Sequence, residues 1–569
     1  MPAIVVFVAV LSIFALAYRF YASYLADKVF ALDPDFVTPA HEFEDGVDYV
    51  PTNRHVLFGH HFTSVAGAAP IVGPAIAVVW GWAPALLWIV LGTVFAAGVH
   101  DTGSLVVSVR NKATNIGTLA QSVINPRSRN LFLAIIFFLL TLVNAVFAIV
   151  IATLFVANPE SVIPIFAEIP LAIFIGQYIR RTNSSALVPS IVGVIGLYAL
   201  IMVGMVVPID ISGIAEGIGM SARTLWILIL FVYCWIASRI PVWVLLQPRD
   251  YINSHQLFIA LAVIFLGVII GLDTMAAPAF NAVEGPRNWF PFLFVTIACG
   301  AVSGFHSLVS SGTTSKQLDK DTDARYVGYM GALGEGSLAL GAVLATTAGI
   351  GIVGMDWGTQ YADFATASDG ALGNFTQGVA GFASNIGVPV SYGAVFAAVV
   401  VISFAATTMD TGVRLQRYII QEIGEIIGNR TLTQNLNLVT TVAVAVPLAL
   451  ALAPAGGEGD TLAFGRLWTL FGTTNQLTAG LALAVIAVWV TKNGRNAMAQ
   501  IIPLTFLLFM TVWALIINLR EFVSNGDWLL APLDLVIFVL AVWLIVEAVL
   551  AIRNARAGVR AVDTPAEPR

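Results

Sequence analysis

Seven ionisable side chains lie within stretches of sequence that are otherwise apolar: Asp101, Glu168, Arg239, His306, Glu335, Asp410 and Glu547. An ion in hydrocarbon is costly enough to be kept mainly where it is paired or functional. Arg239, in SRIPVW, is the single Lys or Arg read inside a span, so it needs an anion: a carboxylate of the protein or a bound solute. A carboxyl held away from water can load and release a proton. Each carboxyl here is a candidate for that task, for pairing with Arg239, or for capping a helix.

Imidazoles form a second group. His55, His60 and His61 lie within seven residues, and His306 is far away in sequence. Histidine shuttles protons near neutral pH and binds metals, and four converging rings could hold zinc or a haem. No HExxH or CxxC accompanies them. Three readings stay open: a metal or haem site on His55, His60, His61 and His306, a role in substrate or proton binding, or structural hydrogen bonding. Cys234 and Cys299 fall in apolar runs and read as free buried thiols.

These groups must be positioned by transmembrane helices. Of the 569 residues, 58% are apolar and 11% charged, and mean hydropathy is +0.88. About fifteen spans are expected, near residues 3–24, 59–80, 84–109, 131–156, 162–179, 186–207, 223–246, 255–275, 290–313, 327–354, 391–413, 436–455, 466–490, 499–519 and 528–552. The first reads as a retained span, not a cleaved signal. Roughly 22 of the 27 Lys and Arg, Arg249 among them, fall in loops on one side; the opposite loops hold only Arg223, Arg287, Arg466 and Arg520, and Met355–Ser391 reads as a long loop there. Cytoplasmic loops carry the basic excess, which puts the amino terminus outside and the carboxyl terminus inside. The expected fold is all-α and polytopic, with residues 1–375 holding the transport core and 376–569 a five-helix region that completes the bundle. The net charge of −6 gives no reason to expect a nucleic-acid partner. No GxxxxGK[ST] is present to power a primary pump.

Two of the spans are interrupted. The first, GHHFTSVAGAAPIVGPAIAVVWG (Gly59–Gly81), is broken by Gly67, Pro70, Gly73 and Pro74. The second, FPFLFVTIACGAVSGFHSLVSSGTTSK (Phe290–Lys316), is loosened by Gly300, Gly304 and Gly312 among Ser303, Ser307, Ser310, Ser311, Thr313 and Thr314. Unwound backbone at membrane depth must be buried in protein or line a cavity, and paired broken helices point to a transporter's binding site. On the expected topology the two run antiparallel, as an inverted repeat requires. Half-helix amino termini present free N–H groups and suit a carboxylate; small-residue helix packing is the alternative reading. Substrate-binding candidates are His60, His61, Ser64, Gly67, Pro70 and Gly73 in the first span, and Gly300, Ser303, Gly304, His306, Ser310 and Thr313 in the second. Arg239, Asn475 and Gln476 join them, the last two as uncharged hydrogen-bonding groups.

The segments GHHFTSVAGAAPIVGP (Gly59–Pro74), PVWVLLQPRDYIN (Pro241–Asn253), ACGAVSGFHSLVSSGTTSK (Ala298–Lys316), TTMDTGVRLQRY (Thr407–Tyr418) and FGTTNQL (Phe471–Leu477), with the glycine-flanked Glu335, resemble the carbon-starvation protein (CstA) family. That resemblance implies an inner-membrane secondary transporter for peptides and, in some members, pyruvate, coupled to protons. It also implies kinship with the amino acid–polyamine–organocation transporters, and hence a LeuT-like core with additional helices. Asp101, Glu335 and Asp410, within family-like motifs, are the proton-coupling candidates; Glu168 and Glu547 have no such support. The expected function is proton-coupled import of small carboxylate-bearing nutrients during carbon starvation, with sodium as the other coupling ion. No resident metal or cofactor and no catalysis are expected, and the partners are the solute and the lipid bilayer. A metal- or haem-dependent membrane enzyme built on the four histidines is the alternative.

Overall fold

A computed structural model describes residues 1–46, 48–182, 185, 187–241, 244–283, 287–453 and 464–563. Among them, eleven helices are long and apolar enough to cross a bilayer, or twelve if the bent pair Arg54–Val65 and Ala69–Trp80 counts as one span. Three of the fifteen expected crossings do not qualify. Ala222–Ala237 and Leu436–Ala451 are apolar but have only 16 residues each. The third, 290–313, is divided into Trp289–Thr296, Ala298–Ala301 and Phe305–Gly312.

The ends of the helices gather in two layers. At one end Ala3 N–H donates to the Asp273 carbonyl (2.8 Å), Ala276 N–H to that of Thr347 (2.6 Å) and Asn281 N–H to that of Trp80 (3.0 Å). At the other, Thr52 N–H donates to the Gln317 carbonyl (3.1 Å), Arg110 pairs with Asp321 (2.5 Å), and Arg495 reaches the Phe30 carbonyl (2.6 Å). The first broken span therefore runs from the end holding Thr52 to the end holding Trp80. The second returns from Arg287, whose carbonyl accepts from the Trp80 indole (3.1 Å), to Lys316 beside Gln317. They are antiparallel, and the basic ends Arg54, Arg110, Lys316 and Arg495 share one layer.

Burial decides which helices can carry polar groups. The window of Phe464–Lys492 is 94% buried, so its Thr469, Thr473, Thr474, Asn475 and Gln476 face protein. In Leu530–Gly558 the buried share is 33%, and most of the rest meets lipid as Val, Leu, Ile and Trp.

The stretch read as a loop, Met355–Ser391, contains a 22-residue helix, Phe364–Asn385. Phe364 packs on Trp80 (ring centroids 5.6 Å), and Asn385 donates to the Gly267 carbonyl (3.1 Å) and to Asp273 (2.7 Å). Both ends thus lie in the same layer, and the helix runs along that layer without adding a crossing. Asp363 caps it by accepting from Thr366 N–H (2.7 Å), a bond that holds this exposed carboxyl below the usual carboxylate range. At Gly378 a side chain would collide with the Ala345 carbonyl, so only glycine lets the helix lie this close to its neighbour. The expected division after residue 375 falls inside this helix.

Candidate functional site

The two breaks meet. The first is a three-residue gap, 66–68, across which the helix axes bend by 51°. Pro70 stands in the first turn of the outgoing half, where a missing N–H costs little. In the second span Val302 is extended (φ −165°, ψ 119°) ahead of Phe305–Gly312. Gly73 lies against the backbone of Thr296 and Ile297, where a Cβ would strike the Thr296 carbonyl oxygen. Gly300 lies against Pro74, with 3.2 Å left for a Cβ. Gly73→Ala should therefore push backbone against backbone and cost about 1–3 kcal/mol, read as a lowered melting temperature of the purified protein. An unchanged melting curve would show that the spans are not held at this separation.

A cavity of about 20 Å³ sits between the breaks. Ser64, Val65 and Gly67 bound it from the first span, Cys299 and Ser303 from the second, and Phe147, Thr408 and Phe471 close it from three other helices. That volume admits one water-sized group. Ser64, Gly67 and Ser303 are the substrate-binding candidates found on its wall.

Asn475 holds the second break in shape. Its Oδ1 accepts from the Phe305 N–H (3.1 Å), and its Nδ2 donates to Cys299 Sγ (2.8 Å) and Ser303 Oγ (3.1 Å). One N–H expected to meet a carboxylate is thus already bonded to a side chain. Asn475→Ala would strand these buried groups at a cost of about 1–3 kcal/mol. Hydrogen exchange at Phe305 should accelerate, whereas wild-type protection would contradict the capping role.

Beside the cavity, His306 joins both breaks to two carboxylates. Its Nδ1 is 2.8 Å from Asp101 Oδ2; its Nε2 is 3.1 Å from the Val65 carbonyl and 3.2 Å from Glu335 Oε1. At the break the Val65 carbonyl also accepts from the Gly67 N–H (3.0 Å). Asp101 also meets His100 Nδ1 at 2.7 Å. His306 and Glu335 are 1% exposed and Asp101 is 0% exposed. Both nitrogens of His306 face oxygen, so a doubly protonated ring satisfies every contact and a neutral ring leaves one lone pair against an acceptor.

Other candidates are placed elsewhere. His61 Nδ1 meets Thr314 Oγ1 (2.9 Å), and His60 Nδ1 lies 4.0 Å from Asp250. Ser310 and Gly304 are buried at helix contacts, Gly304 against the Asn475 backbone. Thr313 bonds back to the Val309 carbonyl (3.1 Å), and Gln476 accepts from Thr511 (3.3 Å) on Met498–Ser524. Glu547 accepts from Asn125 (2.8 Å) and Trp543 (3.2 Å), a tie between helices. His55 is exposed and meets Tyr326 (3.1 Å), so the four histidines do not converge. Among the described residues no group of three His, Cys, Asp or Glu side chains could hold a metal.

Arg239 is the clearest correction. It stacks over Trp235 (4.5 Å) at the end of its helix and has no ion pair among the described residues. The most deeply buried arginine among the described residues is Arg249, read from sequence as a loop residue but lying in Leu246–Gly271. Its Nη1 donates to Asp410 Oδ2 (3.0 Å), and its Nε lies 3.4 Å from Glu168 Oε1. Asp410 also accepts from Tyr233 (2.7 Å) and Cys234 (3.4 Å). Asp410 therefore belongs to a separate centre from Asp101 and Glu335. Arg414 and Arg417, expected in a loop, lie inside Val390–Ile426 and donate to the Ala237, Ile240 and Ser238 carbonyls, which closes the end of Ala222–Ala237.

Comparison with known proteins adds three findings. A family model described as carbon starvation protein CstA matches residues 2–352 and 358–514. The peptide transporter CstA of Campylobacter jejuni is 33% identical over 90% of this chain and 79% of its own length, and the pyruvate/proton symporter BtsT of Escherichia coli is 31% identical over 91% and 81%. Among solved structures, MhsT in complex with L-phenylalanine aligns over 88% of this chain and 99% of its own, at 12% identity and a TM-score of 0.47.

Proposed function

Because this chain belongs to the carbon starvation protein CstA family, we propose that it is a secondary active transporter, not an enzyme, that imports small carboxylate-bearing nutrients, peptides or pyruvate, together with protons. The observation that carries the reading is His306, whose ring nitrogens lie within 3.2 Å of Asp101, Glu335 and the Val65 carbonyl at once. A proton on His306 satisfies all three acceptors and draws the breaks together around the solute. Loss of that proton leaves two buried carboxylates short of a counter-charge, an arrangement that favours separation of the broken spans. Protonation thus biases a two-state element, which is what coupling requires. Sodium is the other coupling ion to test, since unwound carbonyls and hydroxyls would suit it.

On this reading the layer with Arg54, Arg110, Lys316 and Arg495 faces the cytoplasm. The amino terminus is then outside, the carboxyl terminus inside, and the membrane is the inner one. An inverted repeat relating the two broken spans, as in LeuT-like carriers, forms part of the same proposal.

The test is uptake of labelled pyruvate and labelled dialanine into proteoliposomes under an imposed pH gradient, with and without sodium. Accumulation of either solute that follows the proton gradient and ignores sodium is expected. Passive equilibration of both would overturn the proposal.

A further inference from the structure

The centre around Arg249 stands apart from His306 and has its own charge problem. Glu168 and Asp410 meet one guanidinium, Asp250 follows Arg249 in sequence and lies within its electrostatic reach, and all four side chains are buried. The groups facing them come from every adjoining helix: Tyr233 and Cys234 from Ala222–Ala237, Ser403 from the helix of Asp410, and His60 from the first broken span. Arg414 is one turn from Asp410, but its guanidinium is spent on carbonyls. One cation against three carboxylates leaves uncompensated negative charge away from water, which protons must make good.

Geometry says where one of those protons goes. Asp410 receives three donors, from Arg249 (3.0 Å), Tyr233 (2.7 Å) and Cys234 (3.4 Å). Hydrogen bonds to the charged form preserve it, so Asp410 remains a carboxylate. Asp250 has one distant neighbour, His60 Nδ1 at 4.0 Å, and Glu168 two long contacts, Arg249 Nε at 3.4 Å and Ser403 Oγ at 3.3 Å. These two carboxyls therefore take the protons, and Glu168 is the one of the pair that touches Arg249. Arginine does not give up its proton, so the exchangeable proton of this centre belongs to a carboxyl group. Two buried oxygens, Asp250 Oδ1 and, one turn beyond Arg249, Asn253 Oδ1, have no hydrogen-bond partner among the described residues. His60 and His61 are consecutive on the first broken span; His60 faces Asp250, and His61 stands on the side of the second broken span.

We infer that Glu168 is a second proton site, loaded and emptied in each cycle along with His306, so that one pyruvate enters with two protons. This inference rests on the import reading above. Pyruvate carries one negative charge, so two protons move one net positive charge inward and one proton moves none.

Proteoliposomes holding labelled pyruvate at zero clamped voltage test the count. Each proton falling through one pH unit supports a tenfold accumulation. A one-unit gradient should therefore give a limit of about 100-fold in the wild type and about tenfold in Glu168→Gln. An imposed inside-negative potential alone should drive uptake in the wild type and not in the variant. Equal limits and equal voltage responses in the two proteins overturn the second proton while leaving import intact; a wild type that accumulates nothing rejects the import reading itself. Should Glu168→Gln fail to fold, infrared spectra of the wild type decide: a protonated-carboxyl carbonyl band that appears and disappears with pH supports the inference. Its absence across the pH range of transport refutes it. A proton held only for structure would leave the voltage response unchanged.

Discussion

His306→Gln abolishes gradient-driven accumulation: the ratio of solute inside to outside falls to about one, because flux of solute no longer depends on a proton. Glutamine fills similar space and offers a donating NH2 at one end and an accepting oxygen at the other. It cannot supply two donors from the two ends of a ring, and it does not titrate near neutral pH. Asp101 at 2.8 Å and Glu335 at 3.2 Å would both lose their partner. Binding of labelled solute to the purified variant separates loss of coupling from loss of the site. Accumulation at the wild-type level in this variant would remove His306 from the mechanism.

Arg249→Met should be the most damaging single change to folding. It leaves Glu168 and Asp410 buried with no cation between them, and breaking a buried pair from one side costs about 3–5 kcal/mol. Little monodisperse protein should be recovered. Adding Glu168→Gln and Asp410→Asn to Arg249→Met removes the stranded charges and should restore the folded yield, with accumulation no higher than in Glu168→Gln. Recovery of folding by the triple variant separates electrostatic rescue from packing; a well-folded Arg249→Met alone would show that the guanidinium is not the counter-charge.

Much of this architecture was legible in the residue pattern. The clustering of Gly67, Pro70 and Gly73 and of Gly300, Ser303 and Gly304 marked both breaks, because only small or φ-restricted residues permit unwound backbone at depth. The side-by-side placement of Arg54, Arg110 and Lys316 followed from the basic residues alone. The Phe364–Asn385 helix was missed because its buried face dilutes Phe, Leu and Val with Gly, Ala, Ser, Thr and Asn, which allow close backbone contact yet score as loop.

Arg249 was misread for a related reason. It stands at the fourth position of a helix that begins near Pro248, and a basic residue beside a proline reads as a span boundary. Its partners, Glu168 and Asp410, are distant in sequence and on other helices, so nothing local announces the pairing. The same holds for His306 and Asp101, 205 residues apart. Hydrophobic pattern sets which segments cross; which polar groups meet inside depends on how the crossings pack.

The claim on which the account turns is that solute entry moves a proton through His306. A pH-reporting dye sealed in proteoliposomes, with no gradient imposed, tests it directly on addition of pyruvate outside. The account predicts that the lumen acidifies as pyruvate enters with the wild-type protein and stays unchanged with His306→Gln. Pyruvate entry without acidification, or acidification of the same size in the variant, would contradict it.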